Sequence, residues 1–251
     1  MRIDPKRAVL GLIIAGVAGG FLFLPAISVI GSMLAPTQPA RPTTHIPKLV
    51  GDALWAEFAG GPANELQPIN PFTLGRMMSC HALAERFNDR DQQQAEHEEC
   101  MKLLPAVEAI NEVSMSHLRG VGVHDDPRVP FVGFATMMNV ASHWSRTELL
   151  DAIGERGDWS FGFHGVEQAA RGFFNRPASE LELPQAALLA ALHRDRHLDP
   201  WCFPAHTADD RHRTLLRMRD NGAIDETALQ AADVAPLGLA GEPADHTPCP
   251  Q

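Results

Sequence analysis

The N-terminal part of the chain carries a long stretch without any charged side chain, from Ala8 to Ala40. Residues 8–34 of this stretch are apolar, and a helix needs only roughly 20 such residues to cross a bilayer. Three basic residues precede it: Arg2, Lys6 and Arg7. Because positive charge is retained on the cytoplasmic side, the sequence predicts a cytoplasmic tail at residues 1–7, one transmembrane helix at 8–34 and an extracytoplasmic remainder.

A cleaved signal peptide is the competing interpretation of the same stretch. The apolar region of a signal peptide normally spans about 7–15 residues and ends in small residues at the cleavage site. Here the apolar run is longer, and Pro36 directly follows the only position suited to cleavage. We therefore favour an uncleaved, single-pass anchor.

Residues 35–47 are rich in proline and threonine, which predicts a stiff, extended spacer. Outside the cytoplasm cysteines can oxidise, and the chain has four: Cys80, Cys100, Cys202 and Cys249. Nearness in sequence favours the pairs Cys80–Cys100 and Cys202–Cys249, although three pairings are possible. No CxxC spacing occurs, so we expect no metal site built from these cysteines.

Apolar residues at helical spacing predict a mainly α-helical domain at residues 48–234, followed by an irregular tail at 235–251. The formal net charge of −10 over 251 residues argues against a nucleic-acid partner, which requires a basic face.

Local signals place several helix ends. Capping boxes are predicted at Ser145 with Glu148 and at Ser179 with Glu182. The last long helix is expected to hold Asp209 and Asp210 in its first turn and to end at Asn221–Gly222, with the usual order of charges and cap.

The stretch "FGFHGVEQAARGFFNRPASELELPQAALLAAL", from Phe161 to Leu192, joins a glycine-flanked aromatic and histidine cluster to a helix. From Ser145 to Glu226 the chain resembles the C-terminal half of the bacterial peptidoglycan glycosyltransferase domain, found in class A penicillin-binding proteins and monofunctional transglycosylases. The resemblance rests on an aromatic-glycine turn, the helix "GIEAAAxxYFGK", the segment "L(T/S)LAEAALLAGLP" and a basic "RR…VL…M…G-I" helix. Matching positions include Gly162, Gly165, Val166, Glu167, Ala169, Ala170, Phe173, Phe174, Leu188, Leu189, Pro200, Arg211, Arg213, Met218, Gly222 and Ile224.

This resemblance implies a lysozyme-like, mainly α glycosyltransferase domain on the outer side of a bacterial inner membrane. The family polymerises lipid-linked peptidoglycan precursors, with a glutamate as general base and commonly a divalent metal such as Mg²⁺. A precursor or glycan strand and other envelope proteins are therefore the expected partners.

The resemblance also implies site residues. Glu57 falls within a residue of the family's catalytic glutamate in "EDxxFxxHxG", with Asp52 and Glu65 as weaker alternatives. We expect substrate contacts from Thr73, Arg76, His164, Glu167 and Arg211.

Several family motifs are altered. Met77 replaces a glutamine of "GGSTITQQ", Gly133 occupies the glutamate position of "RKxxE", and "YLN" becomes "IGE" at Ile153 to Glu155. These changes favour a second hypothesis, an inactive family member that serves as a scaffold or regulator in envelope assembly. A third is a lysozyme-like cleaving enzyme that uses Glu57 in a dry cleft. We expect no transpeptidase activity in these residues, since no convincing SxxK nucleophile helix occurs and few residues follow Ile224.

Overall fold

The computed structural model describes residues 29–35, 37–59, 104–123, 127–242, 246 and 249. Its α-helices are α1 (Lys48–Ala59), α2 (Leu104–Gly120), α3 (Val129–His143), α4 (Arg146–Arg156), α5 (Val166–Phe174), α6 (Leu183–Arg194), α7 (Pro204–Asp220) and α8 (Glu226–Asp233). Within these ranges the β-type pairing is limited to an isolated bridge between Asp158 and His164. The predicted mainly α class is therefore confirmed for this part of the chain.

Several sequence predictions fall on other residues. Most of the predicted transmembrane segment lies outside the described residues, and its last part, residues 29–34, is helical. None of the helices in the described ranges is long and apolar enough to cross a membrane. Thr73, Arg76 and the Cys80–Cys100 pairing also lie outside the described residues.

The chain divides into two compact units. The first comprises Met1–Pro39, Pro68–Cys100 and Ser114–His143. The second comprises Ala40–Gln67, Met101–Val113 and Trp144–Gln251. In the first unit, Leu118, Val123 and Val132 form a small buried cluster, against which Met115 and Val129 pack.

Helix α6 is the centre of the second unit. Every residue of α6 from Gln185 to His193 is buried, and helices α1 and α7 pack against it and against each other. A helix covered on all sides must be apolar all round, which "AALLAAL" satisfies. Leu54 of α1 and Leu215 of α7 are fully buried in this core. Burying such a side chain stabilises the fold by roughly 1.5–3 kcal/mol.

The start of α4 was predicted correctly and the start of α6 was not. Ser145 caps α4, since its hydroxyl accepts the N–H of Glu148 at 3.2 Å and the Glu148 carboxylate accepts the N–H of Ser145 at 2.7 Å. For α6 the cap is Glu182, whose N–H donates to Gln185 Oε1 at 3.1 Å, rather than Ser179. Ser179 instead lies in a 3-10 turn at Ala178–Glu180 that delays the helix.

Helix α7 ends where predicted but begins earlier. It ends at Asp220, and Gly222 follows with a φ of +79°. It begins at Pro204, because proline has no N–H to satisfy and its fixed φ suits the first helical position. Asp209 and Asp210 therefore lie beyond the first turn, where we had expected them within it.

Residues 40–46, part of the predicted spacer, dock onto helix α4. Glu155 Oε2 accepts the N–H groups of Thr43 and Thr44 at 2.7 and 3.0 Å, and both threonine hydroxyls at 3.1 Å. Burial disfavours the charged carboxylate, but these hydrogen bonds outweigh it and lower the pKa of Glu155. Three further links join the two surfaces: Arg41–Glu148, His45–Asp151 and Ile46–Asp151. Glu155, the glutamate of "IGE", therefore has a structural role, because it binds Thr43 and Thr44 to helix α4.

The turn between α4 and α5 uses left-handed backbone at Phe161, Gly162 and Gly165, with φ values of 61°, 73° and 77°. The two glycines of "GFHG" thus occupy positions at which the backbone bends tightly. Phe161 adopts this conformation without being glycine, at a cost of roughly 1–2 kcal/mol. Its ring is packed edge-on against Phe173 and Trp201, with centroids 5.9 and 5.1 Å away, and this packing offsets the strain.

Gly165→Ala is expected to destabilise the protein more than Gly162→Ala. Both variants force alanine into the left-handed region, which costs roughly 1 kcal/mol. At Gly165 the new Cβ would also lie 2.8 Å from the carbonyl oxygen of Glu155, whereas nothing lies within 4 Å at Gly162. The added overlap brings the expected loss for Gly165→Ala to roughly 3 kcal/mol. Urea unfolding of both variants measures this difference, and equal losses would contradict the close approach.

Candidate functional site

Glu57 lies in the last turn of α1 and is buried, with 8% of its surface exposed. Its Oε1 accepts a hydrogen bond from the Thr214 hydroxyl, and its Oε2 accepts one from Arg217 Nη1 at 2.6 Å. The Arg217 side chain is 41% exposed, so the ion pair has one buried and one half-exposed member. The carboxylate therefore faces helix α7 rather than bulk solvent.

Helix α7 supplies both donors because Thr214 and Arg217 are three residues apart and share one face. The sequence prediction missed these two residues and selected Arg211 from the same helix. The available signal was the spacing within "RTLLRMR", which places a hydroxyl and a guanidinium one turn apart. Only the packing of α1 on α7 shows which carboxylate these two side chains contact.

Glu57 and Arg194 lie in the walls of two cavities of about 170 Å³ each. The walls of the first are Glu57, Phe58, Glu112, His193, Arg194 and Arg196. The walls of the second are Glu57, Ala191, Arg194, Asp195, Asp210, Arg213 and Arg217. These residues come from α1, α2, the end of α6 and α7, all within the second unit. A carboxylate and several arginines thus share a concave surface.

Each arginine of these walls has a carboxylate partner. The pairs are Arg194–Glu108 at 2.5 Å, Arg196–Glu112 at 3.6 Å, Arg217–Glu57 at 2.6 Å and Arg213–Asp210. The hydrogen bond to Glu108 raises the pKa of Arg194, which keeps its guanidinium charged. Every arginine of the cavity walls is therefore matched by a carboxylate.

His193 is a buried imidazole in the wall of the first cavity. Its Nε2 lies 2.9 Å from Glu112 Oε1, close enough for an ion pair but without the alignment of a hydrogen bond. Its ring packs against Trp159, with centroids 4.5 Å apart. A Cβ added at Gly157 would lie 3.3 Å from the ring, so the backbone confines the imidazole on that side.

Sequence comparison relates part of this chain to known proteins. Residues 133–219 match the model of the Transglycosylase family. Over these residues the chain is similar to that family, and we refer to residues 133–219 as the transglycosylase segment. The segment includes helices α4 to α7 and with them Thr214 and Arg217, whereas Glu57 lies upstream of it on α1.

Three relatives illustrate the similarity. Over 93 residues the chain is 31% identical to penicillin-binding protein 1A of Mycolicibacterium smegmatis, which covers 37% of this chain and 12% of that protein. Over 55 residues it is 40% identical to the biosynthetic peptidoglycan transglycosylase of Salmonella arizonae, 22% of this chain and 23% of that protein. Over 49 residues it is 45% identical to the enzyme of the same name from Yersinia pestis, 20% of each. The chain thus spans less than a quarter of the length of each relative.

Arg211 of the transglycosylase segment is buried and engaged. Its guanidinium donates to the carbonyl oxygens of Asp233 at 2.7 Å, Ala235 at 2.8 Å and Pro236 at 3.2 Å. Burial lowers the pKa of Arg211, since the charged form is removed from water. In this conformation Arg211 holds the C-terminal residues, and it lines neither cavity at Glu57.

His164 and Glu167 also lie away from both cavities. His164 Nδ1 is 2.9 Å from Asp158 Oδ1 within the turn before α5. Glu167 pairs with Arg171 and accepts the N–H of Ala178 at 2.8 Å. Of the predicted site residues in the described ranges, Glu57 alone lies at the cavities, and Asp52 pairs with Arg146 at 3.5 Å.

The described residues offer no fitting Mg²⁺ site at Glu57. Mg²⁺ binds oxygen ligands, but the Glu57 carboxylate is already paired with the Arg217 guanidinium, whose positive charge disfavours a second cation beside it. Elsewhere in the described ranges, Asp199, Cys202 and His246 bring ligand-type atoms within 4.8 Å of one another. Cys202 is bonded to Cys249, as predicted, so this group has no thiolate to offer.

We expect a double-mutant cycle of Glu57→Gln and Arg217→Gln to give a coupling energy of roughly 1–3 kcal/mol in urea unfolding, because the carboxylate is buried and charge-paired. The exposed pair Glu167–Arg171, with side chains 53% and 62% exposed, is the matched control. Its coupling should stay below about 0.5 kcal/mol. Equal coupling in the two pairs would show that burial gives the Glu57 pair no special strength.

Proposed function

We propose that this chain binds lipid-linked peptidoglycan precursor at the Glu57 cavities and uses Glu57 as the general base in glycan transfer. The observation that carries the proposal is the position of Glu57. It is a buried carboxylate in the walls of two cavities that also hold arginines, and helix α7 of the transglycosylase segment fixes it there. The relatives named above provide the substrate class.

Glu57 has the capacity for this role. An ionised carboxylate has about four lone-pair positions, and the described donors, Thr214 and Arg217, occupy two of them. A sugar hydroxyl that enters either cavity can donate to a remaining position. Attack of its oxygen on the anomeric carbon of the donor would pass the hydroxyl proton to Glu57. The bond between the anomeric carbon and the diphosphate oxygen would break, and its electron pair would leave with the diphosphate.

The arginines supply the complementary charge. Arg194 lines both cavities, while Arg213 and Arg217 line the second. Guanidinium groups bind phosphate oxygens in bidentate geometry. Since each is now paired with a carboxylate, the diphosphate must displace or share those partners. Binding in this site is therefore an exchange of ion pairs.

The remaining parts of the proposal concern the setting of the protein. An anchor at residues 8–34 would keep the domain at the outer face of the inner membrane, where the lipid-linked precursor is located. Mg²⁺ and protein partners in the envelope follow from the resemblance.

The test is polymerisation and binding of labelled lipid-linked precursor by the detergent-purified full chain with Mg²⁺. Wild type, Glu57→Gln and Glu226→Gln are compared, since Glu226 forms an exposed pair with Arg219 on the other face of α7 and lines neither cavity. Loss of a general base is expected to lower the rate by about 10²–10⁴-fold in Glu57→Gln alone. Chains made equally well by Glu57→Gln would remove Glu57 from the chemistry, and no precursor binding by wild type would contradict the whole proposal.

A second function is favoured by one observation: all four arginines of the cavity walls are already neutralised. A site closed in this way suits a non-catalytic family member that acts as a scaffold in envelope assembly. Precursor binding without chain formation in the same assay would support a binding module. Absence of both would leave the scaffold as the better description.

A further inference from the structure

The described residues after α8, which are 234–242, 246 and 249, form a segment that we call the C-terminal strap. It follows the surface of the second unit through several bonds. Ala240 N–H donates to the carbonyl oxygen of Phe173 at 2.6 Å, and Trp201 Nε1 donates to the carbonyl oxygen of Ala240 at 3.2 Å. Together with the Arg211 bonds, these contacts bring the strap onto helices α5 and α7 and the turn between α6 and α7.

Two links attach the end of the strap to the turn between α6 and α7. His246 Nε2 lies 2.8 Å from Asp199 Oδ2, and Cys202 is bonded to Cys249, so both links join residues 47 positions apart. Asp199 Oδ1 also accepts the N–H groups of Trp201 and Cys202 at 3.0 Å each. One aspartate thus shapes the turn that carries the disulfide and binds the histidine beside it.

The imidazole of His246 is enclosed by aromatic rings and carboxylates. Its side chain is 1% exposed. The ring stacks on Phe161, with centroids 5.7 Å apart and planes 28° apart, and lies edge-on to Trp201 at 5.4 Å. Its second nitrogen, Nδ1, lies 2.5 Å from Glu242 Oε1. Within the described ranges, Asp199 on the turn and Glu242 on the strap are the charged groups that face this ring.

Two carboxylates beside one imidazole favour its protonated form, because Nε2 then carries a hydrogen toward Asp199 and the positive charge lies next to the Glu242 carboxylate. Burial disfavours the charge, but the hydrogen bond to Asp199 and the negative charges of Asp199 and Glu242 outweigh it. The pKa of His246 is therefore raised above its ordinary value. The cation also stacks on Phe161, and the face of an aromatic ring attracts a cation.

We propose that His246 is a pH-dependent clasp that holds the C-terminal strap against the Phe161 turn and keeps this turn in its left-handed conformation. This clasp does not depend on the function proposed above. Phe161 is strained and 40% exposed even with the histidine in place. When the clasp opens, Phe161 loses its stacked partner and the turn at residues 160–165 can relax, while the disulfide keeps the end of the strap tethered nearby.

The direction of the pH dependence follows from the raised pKa. The stabilisation is complete below the ordinary pKa of histidine, about 6.5, and is lost as the pH rises through the higher pKa of the folded state. The clasp is thus closed in mild acid and opens on the alkaline side.

Hydrogen exchange of the Phe161 turn and the strap, followed by mass spectrometry at pH 5.5 and 8.5 and corrected for intrinsic rates, tests this proposal. In wild type, protection of peptides that cover residues 158–165 and 236–242 should fall by about tenfold at the higher pH, because the charged hydrogen bond between His246 and Asp199 is then lost. His246→Gln should show the low protection at both values. His212→Gln, which breaks a half-exposed histidine–aspartate pair of 2.9 Å, should behave like wild type.

The disulfide provides a second variant if His246→Gln folds poorly. The double variant Cys202→Ser and Cys249→Ser leaves His246 in place but removes the tether, so its pH-dependent loss of protection should exceed that of wild type. Protection independent of pH in both wild type and the cysteine variant would overturn the clasp. The clasp is equally overturned if His246→Gln retains the protection and pH response of wild type.

Discussion

The second unit depends on the contact between the end of helix α1 and the middle of helix α7, where Glu57 meets Thr214 and Arg217. These two helices are far apart in sequence and are held together over the buried face of α6. A buried carboxylate at this position requires charged and hydroxyl partners, because leaving it unpaired in an apolar interior is costly. The polar contact therefore fixes how α1 and α7 pack, and the same contact places the carboxylate in the walls of both cavities.

Most of the described architecture follows from local sequence signals. Three features could be predicted because each depends only on neighbouring residues. They are the capping box at Ser145, the glycine after α7 and the apolar pattern of α6. Helix α7 starts earlier than predicted because Pro204 suits the first helical position, while the acidic residues Asp209 and Asp210 lie further along the helix. The cap of α6 was misplaced because the preceding 3-10 turn has no sequence signal as strong as the "S-x-x-E" pattern.

The candidate site was harder to predict, for a physical reason. Glu57 was found by motif position, but its partners come from helices more than 100 residues away, and only packing decides which side chains meet. Arg211 matched the family's basic helix, yet it lies one turn before Thr214 along α7, and its guanidinium donates to three carbonyl oxygens instead. Similarity over the transglycosylase segment therefore predicts the helix, whereas the contacts of each basic residue on it depend on what packs nearby.

The pairwise neutralisation of the site has a consequence for how fast a ligand can arrive. A cluster of matched ion pairs projects little field beyond the Debye length of about 8 Å at physiological salt. The chain as a whole has a formal net charge of −10, which gives an anionic ligand no attraction at long range. Such a ligand reaches the cavities without electrostatic steering, and substitutions in their walls are expected to change its affinity mainly through its residence time.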